Sequence, residues 1–339
     1  MSVQRELTPN TTFEAAYVGS KITNVGLPDS NQNQLTASQL AIGAPLQQRV
    51  ANPYFGIIPR SSSLGDPTIT VAQLMKPFPE YTTVSLYRNN VGTTRYDGLE
   101  LSVRQRVSRG LQYSVAYTRS KLVDDASSVF DASILTGPIA NFPVADSFNR
   151  ALERDYSNGD MPHVFVSSVI WDLPYGSGRA RDPHGVLGAI IRDWTAVGFV
   201  TLQSGMPVAV TQATNFNAFA GFGTQRPNLV GDPTLPADER TLARWFNTAA
   251  FSIAPIFTIG TASRNPVRGP AYRDVDVSFI RRVPVTSGQS LEFRAEIFNL
   301  LNTVNLATPA SWVAGTASFG TITSALDPRV VQLVVKYIF

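Results

Sequence analysis

Residues 99–120 read LELSVRQRVSRGLQYSVAYTRS and carry the clearest indication of the fold class. Apolar and polar side chains alternate before the segment Ser108–Arg109–Gly110, and the same alternation resumes after it. Successive side chains of a strand point to opposite faces of a sheet. The pattern therefore predicts two antiparallel strands joined by a tight turn, each with one apolar and one polar face.

The same period-two alternation recurs along the chain and predicts nine strands. Most are longer than the roughly five or six residues common in globular sheets. They reach the roughly 9–11 residues that a tilted strand needs to cross a bilayer. The predicted strands are 1–7, 11–19, 95–107, 110–121, 160–173, 192–204, 273–283, 289–299 and 329–339.

The connections between these strands alternate in length. The long connections are 20–94, 122–159, 205–272 and 300–328, whereas 8–10, 108–109 and 284–288 are short and 174–191 is intermediate. Compact soluble domains rarely contain structureless loops beyond about 12–15 residues. Outer-membrane barrels combine short periplasmic turns with long extracellular loops. This favours an all-β, antiparallel transmembrane barrel. A soluble or surface β-sandwich that binds a carbohydrate or a protein stays open as the alternative.

The composition excludes several classes of protein. The 339 residues include no cysteine and only 16% charged residues, and the mean hydropathy is −0.01. Disulfides, thiolate catalysis and cysteine metal sites are therefore excluded. The two uncharged stretches, 194–225 and 297–326, contain too many polar residues and prolines for a membrane helix. The chain has no run of Lys or Arg, so we expect no nucleic-acid partner.

No motif predicts a catalytic, cofactor or metal site. Gly176–Ser177–Gly178 lacks the helix and the third glycine of a dinucleotide fingerprint, so we interpret it as a turn. His163 is expected at a strand start and His184 in a loop. A short amphipathic helix with Asp238 as its N-cap is expected from residue 236 to residue 246. Two groups of acidic residues could bind calcium through their carboxylate oxygens, but neither has the spacing of an EF-hand, so we expect solvated carboxylates. The first group is Asp124, Asp125 and Asp131, and the second is Glu153, Asp155 and Asp160.

The last eleven residues, RVVQLVVKYIF, predict a final strand that ends in an aromatic residue at the periplasmic rim. This is similar to the C-terminal targeting signal of outer-membrane proteins, which implies recognition by the barrel-assembly machinery. The residues of this signal are Val331, Leu333, Val335, Tyr337 and Phe339. Aromatic residues near other strand ends predict an interfacial girdle, namely Trp171, Tyr175 and Trp194.

Longer motifs resemble the barrel strands of TonB-dependent receptors of the Oar-like kind. They are WFNTAAF (245–251), RNPVRGPAYRDVDVSFIRRVPV (264–285) and LEFRAEIFNLLNTVNLATP (291–309), with YRNNVGTTRYDGLELSVRQRVSRGLQYSVAYTRSK (87–121) and VSSVIWDLPYGSGR (166–179) upstream. The resemblance covers residues 1–339 and is most specific in the C-terminal third. It implies import of a scarce ligand through a 22-stranded barrel that is closed by an N-terminal plug and energised by the TonB complex.

The sequence departs from these receptors at its N-terminus. It shows no plug domain, no TonB-contacting segment, no carboxypeptidase-regulatory-like domain and no signal peptide. We therefore expect residues 1–339 to be the C-terminal portion of a receptor, with about nine strands of the larger barrel. The predicted location is the outer membrane of a Gram-negative-type bacterium, in contact with its lipid. The ligand class is left open between siderophore, carbohydrate and peptide, and the chain alone is not expected to import it.

Overall fold

A computed structural model describes residues 1–27, 29–87, 89–126, 144–176, 178–309 and 313–339. Its main element is one antiparallel sheet of nine long strands, which lie side by side in chain order. Each predicted strand is confirmed. The strands are β1 (Ser2–Thr8), β2 (Thr11–Val25), β3 (Gly92–Ser108), β4 (Leu111–Asp124), β5 (His163–Asp172), β6 (Trp194–Gln203), β7 (Tyr272–Thr286), β8 (Gln289–Phe298) and β9 (Val330–Ile338).

The strand register places the alternating residues on two different faces. Val103 lies opposite Phe13 on β2 and Val115 on β4, whereas Arg104 lies opposite Thr12 and Ser114. Directly opposed residues of an antiparallel pair point to the same side of the sheet. The apolar set of each strand therefore continues onto its neighbours, so that the sheet has one apolar face and one polar face.

The connections lie at two opposite ends of the sheet. The turn end carries T1 (9–10), T2 (109–110), T3 (173–193) and T4 (287–288), and the loop end carries L1 (26–91), L2 (125–162), L3 (204–271) and L4 (299–329). In T2, both Arg109 and Gly110 have positive φ, at 51° and 78°, as a two-residue type I′ hairpin requires. The predicted alternation of short and long connections is confirmed.

The sheet of the described residues is open, since β1 and β9 each pair with one long strand only. Both edge strands run from the loop end to the turn end. A direct pairing of β1 with β9 would therefore be parallel, whereas every pairing between the nine long strands is antiparallel.

Strands β2 and β3 extend further toward the loop end than predicted, because pairing continues where the apolar alternation stops. Strand β2 was expected to end at residue 19 but reaches Val25, and β3 begins at Gly92 instead of residue 95. The added pairs include Lys21 with Arg95. These polar residues at the loop end hide the period-two signal but still form ladder hydrogen bonds.

The loops contain short ordered elements. The α-helices are α1 (Ala37–Leu40), α2 (Val71–Leu74) and, in T3, α3 (Gly185–Ile191). Short strands are Ser30–Asn31, Arg49–Ala51, Thr68–Thr70, Ser85–Leu86, Asp155–Tyr156, Pro207–Val208, Thr211–Gln212, Asn228–Leu229, Phe251–Ser252, Val267–Arg268 and Val313–Ala314. The 3₁₀ helices are Ala44–Gln47, Ser63–Gly65, Arg150–Glu153, Ala218–Ala220, Ala237–Glu239 and Thr248–Ala250. In the described ranges, no helix is long and apolar enough to cross a membrane.

The helix expected over residues 236–246 is wrong. Only Ala237–Glu239 form a 3₁₀ turn, Pro236 occupies the N-cap position, and Asp238 lies inside the turn. The following segment is held by other parts of the chain, since the Trp245 N–H donates to the Gly320 carbonyl of L4 at 2.9 Å. Contacts between loops therefore override the local helical pattern.

Candidate functional site

The four long loops pack together and form a platform at the loop end of the sheet. One hydrophobic cluster joins L3 to L4 and includes Val210, Phe246, Phe251 and Ala314. A second cluster joins L1 to L3 and includes Leu35, Leu40, Leu46, Ala72, Ala220 and Phe222. Leu35, Leu46 and Ala220 have no exposed surface. The loops therefore have a hydrophobic core of their own above the sheet.

The contact between L1 and L3 depends on a close approach of two backbones. Gly221 has a φ of +90°, and a Cβ added there would lie 2.4 Å from the carbonyl oxygen of Asn33. The Leu35 N–H donates to the Ala220 carbonyl at 2.9 Å, and the Asn31 side-chain amide donates to the Gly221 carbonyl at 2.9 Å. Glycine is required at this position because any side chain would separate the two loops.

Buried ion pairs connect L3 to β4 and L2. Arg264 Nη2 lies 2.5 Å from Asp124 Oδ1, and these side chains are 1% and 5% exposed. Arg226 Nη2 lies 2.5 Å from Glu153 Oε2, with side chains 8% and 4% exposed. Arg268 pairs with Asp160, whose side chain is fully buried. Three arginines of L3 thus neutralise three carboxylates that the sequence places at the end of β4 and in L2.

The expectation that the acidic groups are solvated is therefore wrong for Asp124, Glu153 and Asp160. Asp125 also has a partner, since its carboxylate accepts from Arg150 Nη2 at 2.9 Å. Asp155 accepts from the Asn265 N–H at 2.8 Å, and Asp131 lies outside the described residues. No group of three or more His, Asp or Glu side chains in the described part of the chain is arranged to hold a metal ion.

The polar face of the sheet carries charged groups near both of its edges. On the β7–β9 side, Glu292 accepts from Arg282 Nη2 at 2.9 Å and from Arg294 Nε at 2.6 Å. On the β2–β4 side, Glu100 and Arg104 lie on the same face of β3. Between them, β5 and β6 present half-exposed apolar side chains on this face, namely Val166, Ile170 and Phe199. The polar face therefore has an apolar strip between two charged zones.

Two adjoining cavities lie where the polar face meets L3 and L4. One, of about 550 Å³, has three carboxylates in its lining, those of Asp274, Asp276 and Asp327. The other, of about 350 Å³, has an apolar lining that includes Met161 and Met206. Tyr272 and Leu326 line both cavities. The Tyr272 hydroxyl donates to Asp274 Oδ2 at 3.1 Å, which fixes the ring between the two spaces.

A third cavity, of about 350 Å³, lies where L1, L2 and L3 meet. Gln34 is buried beside it, and its side-chain amide donates to Asp146 Oδ1 at 2.8 Å. Polar side chains dominate its rim, among them Ser30, Asn31 and Thr83. The platform thus offers polar, acidic and apolar surfaces to a ligand.

The predicted C-terminal signal and girdle residues lie mostly on the apolar face. Val331, Leu333, Val335 and Tyr337 occupy that face of β9, with Leu333 79% exposed, and Phe339 follows β9 and is 92% exposed. Trp171 and Trp194 lie on the same face near the turn end, whereas Tyr175 lies in T3 with the Arg181 guanidinium 5.8 Å from its ring centre. Their roles in targeting and as a girdle stay predictions.

The remaining sequence predictions concern histidines and glycines. His163 is the first residue of β5, as predicted, and its Nδ1 lies 2.7 Å from the Tyr117 hydroxyl oxygen. His184 is the N-cap residue of α3, so it ends the loop in which it was expected. Gly176 and Gly178 lie in T3, which confirms the turn, while Ser177 lies outside the described residues. The sequence analysis did not predict the arginine partners of Asp124, Glu153 and Asp160. The one available signal was the presence of single arginines in L3, among them Arg226, Arg264 and Arg268.

Comparison with known proteins identifies the family. A family described as "Outer membrane beta barrel domain" matches residues 1–332. Among solved structures, the outer membrane transporter YddB from Escherichia coli is similar at 12% identity, with a TM-score of 0.43 over 99% of this chain. The chain spans 31% of the length of that transporter. No curated protein matches it. With its nine-stranded sheet and the match over nearly its whole length, this chain belongs to the outer membrane beta barrel domain family and lies in the outer membrane.

Proposed function

We propose that this chain is the barrel part of a TonB-dependent receptor that imports a scarce ligand. The observation that carries the proposal is the interlocked platform of L1 to L4 at one end of the sheet. Loops that share a hydrophobic core and buried ion pairs hold a fixed surface. In an outer-membrane barrel, such long loops face the outside of the cell. The platform is therefore the surface that captures the ligand.

The proposal assigns roles to the faces and to the partners. The apolar face contacts outer-membrane lipid, and the polar face lines the path of the ligand. A plug region would contact the TonB complex. Strand β9 would be recognised by the barrel-assembly machinery during insertion. The chain acts in transport and is not an enzyme, it binds no nucleic acid, and its ligand is a siderophore, a carbohydrate or a peptide.

The β-sandwich alternative is not supported. A sandwich requires a second sheet packed against the apolar face. Leu333 and Val335 on that face are 79% and 65% exposed, which shows that no layer covers them in the described structure. Family membership is also that of an outer-membrane barrel.

The orientation of the loops is tested by labelling in intact cells. The chain has no cysteine, so a single cysteine reports its own position. Val230 in L3 is 64% exposed, and Ser287 lies in T4. We expect a membrane-impermeant maleimide to label Val230→Cys in intact cells and Ser287→Cys only after the outer membrane is permeabilised. Equal labelling of both variants in intact cells would contradict the orientation.

Import is tested with the receptor expressed together with a plug region. Radiolabelled ferric siderophore, oligosaccharide and peptide are offered to cells with and without a protonophore. We expect uptake of one class in energised cells only, because TonB transmits the proton-motive force. Uptake of all three that is insensitive to the protonophore would indicate a passive pore. Absence of any energised uptake, with the loops shown to be outside, would contradict the import proposal.

A further inference from the structure

Helix α3 in T3 exposes apolar side chains at the turn end of the sheet. Its sequence, GVLGAII, carries no charge. Val186 is 81% exposed and Ile190 is 60% exposed. Gly188 is buried, and a Cβ there would lie 2.1 Å from the Pro183 carbonyl oxygen. One side of the helix is thus packed tightly against the preceding segment, while the other side has no protein partner in the described structure.

Two side chains from the apolar face of the sheet hold the C-terminal end of α3. Arg281 lies on that face of β7, opposite Trp194 on β6 and Phe293 on β8. Its guanidinium donates to the Ala189 carbonyl and, at 3.2 Å, to the Ile190 carbonyl. Trp194 Nε1 donates to the same Ile190 carbonyl at 2.7 Å. These bonds satisfy two carbonyls in the last turn of the helix, those of Ala189 and Ile190, and place the helix against the apolar face.

We propose that α3 is an interfacial anchor that inserts Val186 and Ile190 into the periplasmic leaflet of the outer membrane. The occupant of this surface is phospholipid, because the apolar face that holds the helix is the lipid-facing face of the barrel. Apolar residues of an interfacial helix are buried at the boundary between headgroups and acyl chains. Trp194 and Arg281 suit the same depth, since an indole and a long cationic side chain reach from the acyl region to the headgroups.

Charged groups beside the helix fit the headgroup region. Arg181 precedes α3, is exposed, and stacks on Tyr175. Arg192 follows the helix and pairs with Asp182 at 3.1 Å. Arg181 has no carboxylate partner among the described residues, so its exposed guanidinium can approach a lipid phosphate while the apolar side of α3 contacts acyl chains. This inference depends on the outer-membrane location and does not depend on the import proposal.

The experiment uses single-cysteine variants of the cysteine-free chain. Val186→Cys and Ile190→Cys are labelled with bimane and incorporated into vesicles of phosphatidylethanolamine and phosphatidylglycerol with brominated acyl chains. Val169→Cys, on the apolar face of β5, is the positive control, and Ser287→Cys in T4 is the hydrated control. We expect bromine to quench the fluorescence at positions 186, 190 and 169 by roughly half relative to unbrominated lipid, and not at 287.

A second variant tests the attachment of the helix. Arg281→Met removes the guanidinium that binds the Ala189 and Ile190 carbonyls, so we expect quenching at position 190 to fall while quenching at 169 is retained. If quenching at positions 186 and 190 were as weak as at position 287, while position 169 was still quenched, the anchor would be overturned and the barrel would stay supported. Loss of quenching at 169 as well would overturn both. A blue shift of the bimane emission at position 190 that depends on protein concentration, without quenching by bromine, would show that a second copy of this chain covers α3 instead of lipid.

Discussion

The ion pair between Arg264 and Asp124 gives the sharpest test of the loop platform. The two side chains are 1% and 5% exposed, with Nη2 and Oδ1 2.5 Å apart. Removing one partner of a buried pair leaves an uncompensated charge and costs about 3–5 kcal/mol. The Arg264→Met variant retains much of the volume and leaves Asp124 without its cation. We expect the free energy of opening of the platform to fall by about 3–5 kcal/mol.

The structure also predicts how the second partner changes this result. Arg264 Nε and Nη1 are buried and have no hydrogen-bond partner, so the wild-type pair already carries a desolvation cost. Replacing both residues with apolar side chains, as in Arg264→Met with Asp124→Leu, removes both charges. The double variant should therefore recover most of the lost stability, since apolar replacement of a buried ion pair is often neutral.

The assay is limited proteolysis of the loops in membrane-inserted protein. When cleavage is slow relative to reclosing, its rate follows the population of the open state. A loss of about 3–5 kcal/mol corresponds to roughly 10²- to 10⁴-fold faster cleavage of Arg264→Met. The control is Arg244→Met in the same loop, because Arg244 and Glu239 are about half exposed and 3.6 Å apart. Such a pair contributes at most about 1 kcal/mol.

Two results would contradict the predicted role of the ion pair. Equal cleavage rates for Arg264→Met and Arg244→Met would show that the Asp124 carboxylate is hydrated or paired elsewhere. A double variant cleaved as fast as Arg264→Met would show that the arginine stabilises the platform through its packing or its hydrogen bond to the Tyr156 carbonyl, and not through the charge of Asp124.

Three further predictions concern single positions. Gly221→Ala should destabilise the contact of L1 with L3 by at least about 1 kcal/mol. Gly43→Ala is the control and should cost less stability, because Gly43 has a similar φ of +82° but open space around it. Both variants are measured by proteolysis. Burial lowers the pKa of Lys76, so the unfolded chain binds more protons than the folded protein between that lowered value and the unfolded value of about 10.5. The stability of the wild type should therefore rise with pH over this range. Lys76→Met should be more stable than the wild type at pH 7 and should not show this rise. Val115→Arg, on the apolar face of β4, should lower the free energy of unfolding in lipid by about 2–4 kcal/mol, whereas Ala116→Arg on the polar face should leave it nearly unchanged. The folded fraction of each variant is measured by heat-modifiable gel mobility.

The nine strands could be predicted because their signal is local. Alternation within each strand and the short turns determine which residues pair, as at Val103 and Val115 on either side of T2. The last residues of β2 and the first residues of β3 were missed because polar residues, among them Lys21 on β2 and Thr93 and Thr94 on β3, interrupt the apolar pattern while the backbone pairing continues. Local patterns therefore predict the lipid-facing part of a strand better than its extension toward the loops.

The loop platform could not be predicted because its contacts join distant segments. Asp124 is 140 residues from Arg264 in the chain, so nothing near Asp124 indicates that its carboxylate is buried. Trp245 and Phe246 suggest a helix when they are considered with Asp238 alone. In the structure they contribute to a core built jointly by L3 and L4. Carboxylates in long loops cannot be interpreted as solvated until the arginines of the other loops are placed.

The nine-stranded sheet and the platform depend on different sources of stability. On the apolar face of the sheet, residues such as Leu333 are exposed to the surroundings, so this face is stabilised only where lipid covers it. The platform buries Leu35 and Phe246 within the protein and closes around paired charges. Local opening of the platform can therefore occur while the nine-stranded sheet stays folded. A ligand that binds between the loops would shift this local equilibrium without disturbing the strands that cross the membrane.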